Sequence, residues 1–365
     1  ETDLDLYHSE QHSPKAMLVY LDEQYFTDLL VWYHLVWFGQ SLRQNDLIQC
    51  LMKKGRLFSE SDRQQLAHLI HDTLAGVIPR YRALAASGQV EISMTPYGHP
   101  IVPLLHDFEN MRCALPDAPA PETVAYPGGR ERNRWHMRQG MELMEHYLGV
   151  RPRGVWLSEG GVSDDALELL DEFDIAWTAT GEGVWRNSCQ ESGCTEDDVH
   201  SRRGLFSPYT HAENSVELFF RDDGLSDMIG FEYSNWHADD AVTDFIKHLG
   251  NIRTFLDEDS DKHVVSVILD GENAWEYYQE NGASFLDGLY KALAEEPDIN
   301  VMTFSEAVKS DVQTREMEKL CPGSWVYGSF STWIGEKDKN RAWELLVEAK
   351  QAYDSVLERK VLSAE

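Results

Sequence analysis

Six short apolar runs, spaced by longer stretches of helical periodicity, constrain what this chain can fold into more than any other feature of its 365 residues. The runs are GQVEISM at 88–94, GVWLS at 154–158, DIAWTAT at 174–180, SVELFF at 215–220, VVSVIL at 264–269 and INVMTF at 299–304. Residues 131–148, 162–173, 238–256 and 283–296 read as helices between them, the second with Ser163 as N-cap and Asp164 and Asp165 in its first turn. Strands separated by helices of this length predict an α/β fold: a mainly parallel sheet with helices outside, open or closed into a barrel. A helical region comes first, over 24–40 and 61–87, where Leu66, Ile70, Leu74, Val77 and Tyr81 recur at helical spacing and Gly88 is the stop. Residues 181–212 read as a long loop. From Lys337 onward, Ala342, Leu345, Leu346, Ala349, Tyr353 and Val356 make the apolar face of a helix that needs a partner, which leads to the expectation that the natural chain continues.

Composition then excludes classes of partner. A net charge of −31 and a pI near 4.7 oppose binding to nucleic-acid phosphates and to anionic lipid, so neutral partners fit better. The acidity would also suit a salt-rich cytoplasm. No run approaches the ~18 apolar residues of a membrane span. Five cysteines are an odd number, and only Cys189 and Cys194 are close together, in CQESGC rather than C-x-x-C. Reduced thiols in a cytoplasmic protein are therefore expected, with a Cys189–Cys194 loop disulfide as the alternative. The chain begins ETDLDLYHSE, without Met or a basic-then-apolar leader, which reads as a cut chain or a fragment.

Two carboxylates stand out by position. VVSVIL reads as a strand buried on both faces, and it stops abruptly at Asp270, Gly271, Glu272 and Asn273, followed by Trp275, Tyr277 and Tyr278. Polar groups just past the carboxyl end of a buried strand lie where α/β proteins place ligands and catalysis. Capping of a turn is the plainer explanation of an Asp-Gly pair, but acids and aromatics packed this closely suit a sugar site, which needs both. Glu159 follows GVWLS in the same way, with Gly160 and Gly161 leaving room above it and Trp156 as a stacking face. Two carboxylates about 5 to 5.5 Å apart make a retaining glycosidase, and about 6.5 to 9.5 Å leaves room for the water of an inverting one. Sequence supplies no such distance.

PYGHPIVPLL, VWLSEGGVS, FRDDGLSDMIGF, VILDGENAWEYY and SWVYGSFSTWIG, in this order, resemble motifs of glycoside hydrolase family 57, retaining α-glucan enzymes that include amylopullulanase-type amylases, branching enzymes and 4-α-glucanotransferases. The resemblance covers about residues 25–350. It implies an incomplete (β/α)7-type barrel with a helical insertion and a C-terminal helical bundle, divided as an insertion over 1–88, the barrel part over 89–310 and the start of a helical domain over 311–365. Glu159 then carries over as nucleophile and Asp270 as general acid/base, with no obligatory cofactor and no metal. Those roles require the two pKa values to be pushed apart, and Asp270, walled by Trp275, is expected to have the raised one. His99 of PYGHP is expected to contact a sugar hydroxyl, or else to be a satisfied loop histidine. Arg221, Asp222 and Asp227 are expected either to bind sugar at a subsite or to form an Arg–carboxylate structural pair. Glu272 completes the candidate sugar ligands. Trp325 and Trp333 are candidates for stacking on glucose rings, with core packing as the alternative.

The sequence also departs from the family pattern. The His-Gln-Pro of the first barrel strand has no counterpart, so a missing N-terminal segment, or a second chain, is expected to complete the barrel. Gly181 precedes Glu182 where many relatives have an Asp-Glu pair, and GEKD at 335–338 replaces a commoner Gly-His. His8 and His12 in HSEQH stand four apart, as metal ligands on a helical turn do, which keeps a metal-dependent carbohydrate deacetylase as a rival. A non-catalytic glucan-binding fragment is a further rival. Hydrolysis and transfer differ only in the acceptor, water or a glucan hydroxyl, and amylopullulanase-like hydrolysis is the expectation.

Overall fold

The computed structural model describes residues 21–123, 125–271 and 274–359. The helical region comes first. α1 (Glu23–Trp37) is capped by Asp22, α2 (Asp46–Lys54) by Asn45, and α3 (Glu60–Ala75) by a reciprocal Ser59–Asp62 capping box. Val31, Leu35, Ile48, Leu51, Phe58 and Leu66 form a core of their own between these helices. The single helix expected over 61–87 is interrupted at Gly76, where α4 (Val77–Ala86) begins. Pro79 explains the break, since it has no N–H to donate to the Ala75 carbonyl. The expected stripe also turns outward: Leu74, Val77 and Tyr81 are exposed.

After α5 (Val102–His106) and α6 (Gly129–Leu148) the sheet begins. β1 (Gly154–Val155) leads through α7 (Asp164–Glu172) to β2 (Trp177–Thr180), and α8 (Glu182–Glu191) follows. β3 (Tyr209–His211) and β4 (Glu217–Phe220) come next, then α9 (Asp223–Asp227), α10 (Ala238–Leu256), α11 (Ala283–Glu295), β5 (Arg315–Met317) and α12 (Lys337–Glu358). The sheet order is β1-β2-β4-β3-β5, parallel throughout except where β3 meets β4. Two isolated parallel bridges extend it, Met94 to Val155 and Arg221 to Ser266. Segments at 94, 154–155, 177–180, 217–221 and 266 thus lie side by side in chain order and in one direction, the arrangement of a (β/α) barrel wall. β4 changes partner along one edge, with Tyr209 opposite Leu218 and Ser266 opposite Arg221.

Every residue of β2 is buried. Trp177 and Ala179 pack with Phe219 and Ala307 on one side, while the Thr178 and Thr180 hydroxyls donate to the carbonyls of Val155 and Gly160. Gly154 makes this packing feasible: a Cβ there would lie 1.9 Å from the Trp177 ring. α7 starts as expected, with Ser163 Oγ accepting the Ala166 N–H.

Three expectations are overturned. Residues 181–212 are not one loop but α8, a short helix at Glu196–Ser201, a 3-10 turn and β3, with Val184, Trp185, Ser188 and Cys189 forming a buried helical face. Of the runs 88–94 and 264–269, only Met94 and Ser266 bridge to a neighbour, and 299–304 forms no strand among the described residues; instead Thr303 caps a helical turn. These segments are extended or capped without a full ladder, so apolar content alone did not make them strands. The C-terminal helix keeps its expected position, burying Asn340 and Val347 and leaving Leu345, Leu346 and Tyr353 of its apolar face exposed among the described residues. Finally, Cys113 and Cys321 form a disulfide, rather than Cys189 and Cys194, so the expectation of reduced thiols fails and the cytoplasmic reading loses its basis. Among the described residues no helix is long and apolar enough to cross a membrane.

Candidate active site

The carboxyl ends of the parallel segments gather the acids. Glu159 follows β1, Glu182 follows β2, Arg221, Asp222 and Asp223 follow β4, and Asp270 follows the segment bridged at Ser266. Glu159 has φ 58°, the left-handed region that a non-glycine residue enters only when its surroundings hold it there. What holds it is visible. Its carbonyl accepts the Trp325 N–H at 3.2 Å, and its carboxylate is gripped at both oxygens. His99 Nε2 lies 3.1 Å from Oε1, and Trp325 Nε1 donates to Oε2 at 3.1 Å. An indole N–H can only donate, so Oε2 is an acceptor here. The side chain of Glu159 remains 31% exposed, open to a ligand.

His99 is itself at φ 56°, in a loop tied to α6. The Tyr97 N–H donates to the His136 carbonyl, and His136 Nδ1 faces the Tyr97 carbonyl at 2.5 Å. Burial lowers the His136 pKa, with Arg132 adding to the effect. Trp156 meets Trp325 edge-on, ring centroids 5.3 Å apart. Trp325 is packed from behind by the turn after β2: a Cβ on Gly181 would lie 2.6 Å from Trp325 Cα, and one on Gly183 2.8 Å from Gly328 Cα. The absence of a side chain at Gly181 therefore lets the Trp325 loop approach.

Beside these residues lies an ionic network. Arg221 is buried; Nε donates to the Ile268 carbonyl at 2.7 Å, Nη1 to Asp223 at 2.7 Å and Nη2 to Asp227 at 2.5 Å. Its guanidinium carbon stands 5.4 Å from the Trp325 ring centroid. Burial raises the Asp223 pKa, although Arg221 opposes the shift. Asp222 caps α9 through the Leu225 N–H and accepts from Arg202, which also reaches the buried Glu182 at 2.7 Å. Burial works against the charge on Arg202, but Asp222 and Glu182 outweigh it and its pKa rises.

His99, Trp156, Glu159, Arg221, Asp227 and Trp325 thus form one connected set. Asp222 faces Arg202 instead. Asp270 is exposed, two residues beyond the carbonyl that Arg221 holds. Trp275 packs into the cluster of Tyr278 and Phe285, and Trp333 into that of Phe108 and Phe330. Glu272 lies outside the described residues, as do His8 and His12; among the described residues no group of three or more His, Cys, Asp or Glu is placed to hold a metal. Sequence reasoning missed Glu182, Arg202 and Asp223 as members of the network. Glu182 carried a usable signal, two residues past a buried strand, whereas Arg202 lay within the supposed loop.

The model of glycosyl hydrolase family 57 matches residues 10–321. The chain belongs to this family. Solved structures agree on the fold. A GH57-type branching enzyme from Pyrococcus horikoshii superposes with TM-score 0.59 at 17% identity, covering 88% of this chain and 64% of that one. The α-amylase AmyC from Thermotoga maritima gives 0.54 at 13%, covering 82% and 62%, and a GH57 branching enzyme from Thermococcus kodakaraensis 0.56 at 15%, covering 87% and 64%. The chain therefore spans less than two thirds of the length of each. No curated protein matches the sequence.

Proposed function

We infer that this family 57 chain acts on α-glucans by double displacement, with Glu159 as nucleophile and Asp270 as general acid/base. The observation that carries the reading is the bracketing of the Glu159 carboxylate by His99 and Trp325 on a strained, partly open turn. A nucleophile has to be aimed, and an indole N–H that can only donate holds one oxygen in place. Asp270, past the segment bridged to the end of β4 at Ser266, protonates the leaving glycosidic oxygen as Glu159 attacks the anomeric carbon. The glycosyl-enzyme is then resolved by water or by a glucan hydroxyl that Asp270 deprotonates. His99 and Trp156 border the sugar that occupies Glu159, and no cofactor takes part.

Among the similar structures are branching enzymes and an amylase, so the family supports both acceptors. Hydrolysis of the amylopullulanase type is the reading adopted, with starch, glycogen, maltodextrin and pullulan as substrates. The test is product formation from soluble starch and pullulan by the parent chain, Glu159→Gln and Asp270→Asn. Activity that falls by several orders of magnitude in both variants supports the roles. Short maltooligosaccharides mean hydrolysis, and new linkages or longer chains mean transfer. A folded parent that retains glucan on an affinity gel but releases nothing overturns the catalytic reading.

A further inference from the structure

Arg221 has every nitrogen of its guanidinium engaged by protein, in the Arg–carboxylate pairing that the sequence offered as the alternative to a sugar ligand. Those contacts lead toward both carboxylates of the site. The cationic plane stands over Trp325, whose N–H holds Glu159 Oε2. Nε holds the carbonyl of Ile268, two residues before Asp270, and the adjacent Asp222 N–H bonds the Ser266 carbonyl at 2.8 Å. We propose that Arg221 is a positioning residue, fixing the Glu159 carboxylate through Trp325 and fixing, through Ile268, the segment that leads to Asp270. The proposal rests on the reading of these two residues as the catalytic pair.

The physical case is one of directed bonds. Rotation of the indole would remove one of the two groups that grip the Glu159 carboxylate, whose terminal torsion is otherwise soft. Only a planar fork can reach Asp223, Asp227 and the Ile268 carbonyl at once while presenting a face to an aromatic ring; an ammonium group is a point charge. Lysine at 221 would keep the charge and lose the geometry.

The test uses the full chain with 15N-labelled indoles. Trp325→Phe assigns the Trp325 signal, and Glu159→Gln shows whether its pH dependence comes from Glu159. Kinetics on soluble starch run in parallel. In the parent, the Trp325 N–H resonance is expected to move with pH and to stop doing so in Glu159→Gln. In Arg221→Lys that coupling is expected to vanish and kcat to fall about a hundredfold, as a misplacement on the order of 1 Å does, with KM nearly unchanged. Guanidinium ion added to Arg221→Ala should restore both signal and turnover. The proposal is overturned if Arg221→Lys keeps the coupling and the parent kcat, or if KM rises while kcat holds, which would make Arg221 a sugar ligand. An inactive parent whose Trp325 signal still follows Glu159, and loses it in Arg221→Lys, removes the catalytic reading and leaves the coupling standing.

Discussion

The Cys113–Cys321 disulfide closes a loop of 208 residues, the longest-range covalent constraint the sequence left unseen. In the chain-entropy treatment a crosslink of that span removes denatured-state freedom worth about 5 kcal/mol at 25 °C. With an unfolding entropy of roughly 2.1 cal/mol/K per residue, a chain of 365 residues loses about 6–7 °C in melting temperature when both cysteines become serine. The local geometry has other supports. The Cys321 N–H donates to Ser188 Oγ at 2.9 Å, and Gly323 pairs with Val162 in an isolated bridge, so the loop that carries Trp325 stays anchored. Calorimetry of Cys113→Ser/Cys321→Ser, and of the parent with and without reductant, is the assay, with starch turnover at 25 °C as control. The expected result is a lowered Tm with turnover within about twofold of the parent, because the crosslink acts chiefly by restricting the unfolded chain. Thiol titration of the unreduced, denatured parent should find three of the five cysteines. Five thiols, or an unchanged Tm in the double variant, would refute the reasoning.

Two further outcomes follow from the packing. His211 is buried with Nε2 3.0 Å from Asp164 and Nδ1 2.7 Å from the Met317 carbonyl; two acceptors require both ring nitrogens to donate, and the Asp164 hydrogen bond raises the pKa despite burial. Its stabilisation is therefore complete below the unfolded histidine pKa and lost as pH rises through the folded one. Denaturant titrations of the parent between pH 6 and 9 should show a decline that His211→Gln abolishes, and equal slopes would sink the idea. Gly181→Ala puts a Cβ 2.6 Å from Trp325 Cα, backbone that cannot swing aside. It should cost about 1–3 kcal/mol as an overpacking change and reduce turnover more than Gly193→Ala, an open position at φ +76° where no atom crowds the new methyl.

The strongly patterned parts of the fold were legible. Residues 238–256 form one helix with those bounds, Ser163 caps where its spacing said it would, and the runs containing β1, β2 and β4 are strands. The failures share a cause. A strand is defined by its neighbours, and the run at 264–269 is as rich in Val and Ile as any in the chain, yet it bridges only at Ser266. In 181–212 polar residues dilute the helical face of Val184, Trp185, Ser188 and Cys189, so a window average sees a loop where local spacing specifies a buried stripe. The disulfide was invisible because cysteines 208 residues apart carry no spacing signal.

The candidate site was legible in the positions of its acids and illegible in their supports. Glu159 and Asp270 could be singled out because a carboxylate after an apolar run is a local pattern. The groups that orient Glu159 come from 60 residues before it and 166 after it, and nothing in either stretch announces the pairing. Trp325 shows how much residue type leaves open. An aromatic in a sugar enzyme invites a stacking role, and here the ring also stands toward Arg221 and meets Trp156 in a T-shaped pair, while its N–H is used by a carboxylate. The departure at Gly181 then acquires a physical meaning. An aspartate in its place would put a Cβ into the backbone of Trp325, so a chain with Asp-Glu at this turn must route the loop after residue 321 differently. Gly181 and Trp325 are therefore to be read together, as one choice about how the Glu159 carboxylate is held.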